Sequence, residues 1–247
     1  MIVPDVRASF GRSEASFLIW LLTRGEEQAR ARAEERLREE GFDAILDDPR
    51  TFNALMAGRD FSSAPISLVF YLLVRHALLE DGIADRALAD YLSALLVAFG
   101  RPDRARKVDD QISELNHLVD IVAAGDESTG HRAFLLRVHL GEYALWLSGL
   151  FPDHINARVQ RRGAPGIPYY EELGSTGYRL AARYRDAEQH GLDRVYLRCA
   201  DGFPALRIAL NRIADRHLFP ATGDRIERLL RQVADGFNAR EARTKDS

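Results

Sequence analysis

The chain reads as an all-α protein. Apolar residues recur at steps of three and four through most of its length, and no run alternates apolar with polar residues between turn signals. At 247 residues it is long enough to bury a sizeable core. The pattern fits one domain over 1–247 built from about nine to eleven helices.

The elements follow in order. Residues 13–23 open on Ser13 as N-cap and run through FLIWLL. Residues 25–40 form a charged helix that stops at Gly41, with Glu26 and Glu27 at its positive end. Together these make a charged N-terminal subregion over 1–60. A short helical turn follows Asp48-Pro49. Two apolar helices, 63–80 and 84–99, form a hairpin around Asp81-Gly82, and Arg86 can pair with Asp90 one turn on. Arg75 and His76 lie in a helix that is apolar nearly all round, so Arg75 needs a partner, with Glu80 and Asp90 as candidates.

The stretch GRPDRARK (100–107) is basic and turn-rich, either a domain boundary or an ordinary loop. Helix 108–124 is expected next, then 130–149, where Pro152 opens a short basic helix. Helices at 168–189, 192–200, 203–218 and 223–238 complete the chain, the last capped by Thr222. The tail 239–247 should fray.

Composition removes several function classes. A formal net charge of −3 argues against a dedicated nucleic-acid binder. Residues 158, 161 and 162 are arginines, but no aromatic interleaving of the RNA-binding kind accompanies them. The longest apolar run, ISLVFYLLVRHALL, has 14 residues and is interrupted by Arg75 and His76, too short for a membrane span. Cys199 is the only cysteine, so neither an internal disulfide nor a cysteine zinc site can form within one chain. No leader-like apolar segment is visible in MIVPDVRASFGRSEAS, and a cytoplasmic location is expected.

Phosphate loops, dinucleotide fingerprints, zinc-protease motifs and nucleophile elbows are missing from the sequence. Glu114-x-x-His117 with Asp120 has the spacing of a di-iron ligand pair, but His117 falls on the polar face of its helix. Asp186 and His190 lie one turn apart among charged neighbours, where the helix dipole favours His190. We assign no metal site, and the sequence leaves any cofactor unknown.

The segment RVHLGEYALWLSGLFP is the strongest candidate for a site. Leu135, His139, Glu142 and Trp146 share one seam of its helix, flanked by apolar residues on both sides. Desolvation would lower the His139 pKa and raise that of Glu142, and their mutual attraction would oppose both shifts. Two readings are open: an acid–base or metal-ligand pair, or two residues hydrogen-bonded to neighbouring helices. Arg137, Gly141, Ala144 and Ser148 form a separate stripe whose small members let another backbone come close. Gly174, Gly177 and Ala181 form a second small stripe, with Tyr169, Tyr170, Tyr178 and Tyr184 around it.

The stretches GEYALWLSGLFP (141–152) and PYYEELGSTGY (168–178) together resemble a pattern of uncharacterised bacterial all-helical proteins. That resemblance implies a helical fold and carries no activity, cofactor or site.

The leading expectation is a helical module that binds a protein partner or assembles with itself, with neither nucleic acid nor membrane as partner. The alternative is an enzyme or small-molecule binder, in one version metal-dependent. Its catalytic candidates are His139 and Glu142, with Trp146, Tyr169, Tyr170 and His76 as ligand-binding candidates.

Overall fold

A computed structural model describes residues 1–58, 64–99, 122 and 126–219. They hold eleven α-helices and no strand, as the sequence predicts. Contacts gather into two compact units, 2–105 and 106–247. The division falls in the stretch GRPDRARK that the sequence marks as a candidate boundary. The expected helices 108–124 and 223–238, the Glu114–His117–Asp120 motif, Thr222 and the tail lie outside the described residues.

In the N-terminal unit, α1 (Arg12–Thr23) packs on α2 (Glu27–Leu46) and α3 (Pro49–Ala57), and α3 leans on α4 (Ile66–Glu80). Ser13 is not the cap of α1. The capping contact comes instead from Glu14, whose Oε2 accepts the Gly11 N–H at 2.8 Å. The expected stop at Gly41 is a kink: φ of 76° and ψ of −178° suit glycine, and the helix then resumes to Leu46. Burial of Ile45 and Leu46 explains the resumption, because these side chains reach the core only if the chain continues to coil. The Asp48 side chain caps α3 by accepting the Arg50 N–H at 2.8 Å. The α4–α5 hairpin forms as expected, with Gly82 at φ 75° and α5 spanning Arg86–Phe99.

Helix α4 is buried on nearly every face from Leu68 to Leu78. Its arginine therefore carries a charge into the core, and the partner is neither Glu80 nor Asp90. Arg75 is 2 % exposed and grips Asp47 through Nε at 2.6 Å and Nη2 at 2.9 Å. Arg86 does not pair with Asp90 either; its Nη2 meets the same Asp47 at 2.6 Å. Asp90 instead accepts the Arg7 backbone N–H at 2.7 Å, while the Arg7 side chain reaches Asp43 at 2.6 Å. Both corrections share a cause. The resumed helix after Gly41 brings Asp43 and Asp47 within reach of α4 and α5, which spacing along those helices cannot reveal.

The C-terminal unit is built on α6 (Gly130–Leu150). Helix α8 (Ile167–Ala181) packs most extensively against it and α11 (Phe203–Ile213) follows. Pro152 opens α7 (Pro152–Arg162) as expected. The helix expected over 168–189 is broken. After α8 the chain turns extended at Tyr184 and starts α9 (Arg185–Gln189), which lets Ala187 enter the core and Tyr184 meet Phe134 at 5.9 Å. Helix α10 (Asp193–Asp201) leads into α11, and the expected 203–218 helix ends in a π turn over Ala214–Leu218. Among the described residues no helix is long and apolar enough to cross a membrane.

Candidate functional site

Close backbone approach fixes where the seam of α6 points. A β-carbon on Gly177 of α8 would stand 2.9 Å from the Arg137 carbonyl oxygen and 3.0 Å from the Gly141 nitrogen of α6. One on Gly174 would strike the Phe203 ring, and one on Gly141 would lie 2.8 Å from the Tyr178 ring. The two small stripes read from the sequence are thus the contact faces of α6 and α8. They are filled by packing, with Tyr178 and Phe203 occupying the space that the glycines leave.

With that face taken, Glu142 turns toward α10. It is 3 % exposed, and its charge acts on the Tyr196 phenol. Burial first, and Glu142 second, push that phenol far above the ordinary tyrosine range. Tyr196 stacks on Tyr178 at 5.7 Å and touches Phe134 at 6.4 Å. The arrangement sets a phenol that keeps its proton in the field of a buried carboxylate.

His139 is half-buried, and its ring lies 6.1 Å from that of Tyr143. A ladder of rings then runs from Tyr143 to Trp146 at 5.9 Å, to Phe151 at 5.0 Å and on to Phe219 at 5.6 Å. Burial pushes the Tyr143 phenol up to about 12, Tyr170 adds to the shift, and the Arg158 guanidinium opposes it. Burial likewise raises Tyr170, again against Arg158. Tyr169 stands edge-on to Tyr170 at 5.9 Å, half-buried.

The structure therefore gathers Trp146 and Tyr170 around Tyr143 and Arg158, two residues that the sequence candidates omit. Arg158 belongs to the basic run 158–162, yet its Nε and Nη2 are shielded from water. A signal for it existed: it stands three residues after the buried Ile155, on the inward face of α7. Arg161 and Arg162 are exposed at the end of that helix.

His76 belongs to the N-terminal unit and is engaged there. It stacks on Phe52 at 4.7 Å, and its Nε2–H donates to the Leu46 carbonyl at 2.9 Å. Burial lowers its pKa, and that donated bond opposes the shift.

A polar relay closes the C-terminal end of α6. Asn211 donates from Nδ2 to the Ser148 and Gly149 carbonyls at 2.8 and 2.6 Å. Its Oδ1 accepts from Arg207, whose Nε binds Glu171 at 2.9 Å. Orphan carbonyls of the last turn are thus satisfied from α11. Asp186 and His190 do not converge on a shared point. The Asp186 carboxylate takes His131 Nδ1 at 2.6 Å, while His190 bonds the Asp186 backbone carbonyl at 2.7 Å. Among the described residues no group of three or more histidine, cysteine or carboxylate side chains is placed to hold a metal.

No family model matches the chain, and no curated protein or solved structure is significantly similar to it.

Proposed function

We propose that the protein is a self-assembling helical module that pairs with a second copy through its α1–α2 surface. The observation that carries this is Trp20, which is 52 % exposed on α1 with its ring 5.9 Å from Phe17. A large exposed indole beside a second ring is the kind of anchor that dominates interface energetics.

The choice of a second copy over an unrelated partner rests on charge. Residues 12–40 carry six arginines and seven glutamates. They form mixed-sign pairs along exposed α2, Arg30 with Glu34 at 2.8 Å and Arg36 with Glu40 at 2.9 Å. Such a surface complements an antiparallel copy of itself. An isologous contact about a two-fold axis would bring the two Trp20 rings together, with mixed charges around them.

Sedimentation equilibrium over a wide concentration range tests the proposal. The parent chain is expected to dimerise, with Trp20 emission moving to the blue as it does. Trp20→Ser should weaken the dimer at least about thirtyfold, as loss of an interface anchor does. A chain that stays monomeric at every concentration overturns the proposal.

A further inference from the structure

Among the described residues, the Tyr71 hydroxyl and Arg75 Nη1 of the N-terminal unit are two of the buried polar atoms that find no hydrogen-bond partner. Both side chains are shut away from solvent, at 0 % and 2 % exposure. They stand four residues apart on α4 and so lie one above the other on the same face. Phe10 of the N-terminal segment meets the Tyr71 ring edge-on at 5.6 Å and Phe42 at 6.3 Å. The Tyr71 phenol feels the charges of Arg75, Asp43, Arg7 and Asp47, which places it inside the ionic cluster that joins α2, α4 and the segment before α1.

Native proteins rarely leave such atoms unmatched, and a bound guest is the ordinary remedy. The surroundings select its chemistry. An anion would press against Asp47, which already takes two bonds from the same guanidinium, and against Asp43. A cation would face Arg7, Arg75 and Arg86. The guest must accept from Nη1 and bond a phenol, so it is small, neutral and both donor and acceptor.

We propose that one internal water molecule is held between Tyr71 and Arg75, accepting from Nη1 and sharing a hydrogen bond with the phenol. It completes the coordination of a guanidinium whose other two nitrogens are spent on Asp47. It also ties the cluster to the ring that the N-terminal segment covers.

Tyr71→Phe gives a test by sign. If water is bound there, removing the hydroxyl removes a bond that is made, and the unfolding constant rises about five- to tenfold. If the hydroxyl is simply stranded, phenylalanine relieves a buried unmatched group, and the denaturation midpoint rises or holds. That second result overturns the proposal. Should Tyr71→Phe fail to fold, the parent chain decides. A long-lived water with a magnetisation-transfer cross-peak to the Tyr71 side chain supports the site, and its absence overturns it. Added chloride or acetate is expected to leave the midpoint of the parent unchanged; a rise with anion concentration would replace water by an anion and refute the assignment.

Discussion

The two units place polar groups inside a helical core with different emphasis. The N-terminal unit buries full charge. Arg75 enters α4, Asp47 answers from α2, and Arg86, Asp43 and Arg7 extend the set. The C-terminal unit also buries charge, in Glu142 and in the Arg207–Glu171 pair, but its main helix contact relies on proximity. Glycines on α6 and α8 let the helices nearly touch, phenols stay protonated, and an asparagine amide caps the end of α6. Charge networks reach across long sequence separations but depend on protonation. Glycine contacts are indifferent to pH but tolerate no added atoms.

The contrast can be tested with one tryptophan in each unit, Trp20 and Trp146, each read in a background where the other is phenylalanine. The largest effect should come from Arg75→Ala. It leaves Asp47 with Arg86 alone in a partly buried setting and should cost about 3 kcal/mol, seen as an earlier urea transition at Trp20. Equal movement of the Trp146 transition would dissolve the contrast. Next comes Gly177→Ala. Its new methyl meets backbone, which cannot yield by rotating a side chain, so about 2 kcal/mol should be lost, reported mainly by Trp146.

Acid should have a smaller, graded effect. Burial lowers the His76 pKa from 6.5, so the folded state resists protonation. Its contribution is complete above that value and declines as pH falls below it. The Asp48 carboxyl is held well below the usual range, first by hydrogen bonding to Arg50. Asp47 is also lowered: burial works against this, and bonds from Arg75 and Arg86 overcome it. Both are depressed carboxylates, so their contribution is present above 3.8 and is lost as pH falls through the depressed values. An acid titration should therefore shift the Trp20 signal before that of Trp146. Reversal of that order would show that charge matters more to the C-terminal unit than to the N-terminal one.

How much was legible follows the same divide. Most helix positions among the described residues, the Gly82 turn, Pro152 at the start of α7 and both glycine stripes could be read because they depend on spacing within one segment. The burial of Glu142 and Trp146 was legible for the same reason, since a seam flanked by apolar residues faces inward wherever the helix packs. The partner of Arg75 was not, because Asp47 lies 28 residues earlier, beyond a kink whose sequel looked like loop. Tyr143 and Arg158 were not legible because they lie off the seam that carries the ionisable pair. The rings and the guanidinium that surround it come from its flank and from another helix. The break after α8 was hidden because Ala181-Ala182-Arg183-Tyr184 has no helix breaker; only the docking of Ala187 and Tyr184 requires it.

One feature of the C-terminal unit has reach beyond packing. The Tyr178 ring rests against Gly141, the same ring stacks on Tyr196, and Tyr196 feels the charge of Glu142, the next residue after Gly141. The chain thus closes a loop. Tyr178 lies between the α6–α8 contact and Tyr196, and Tyr196 lies beside a carboxylate of α6. The helix contact at Gly141 and the surroundings of Glu142 thus share one pair of stacked rings, Tyr178 and Tyr196.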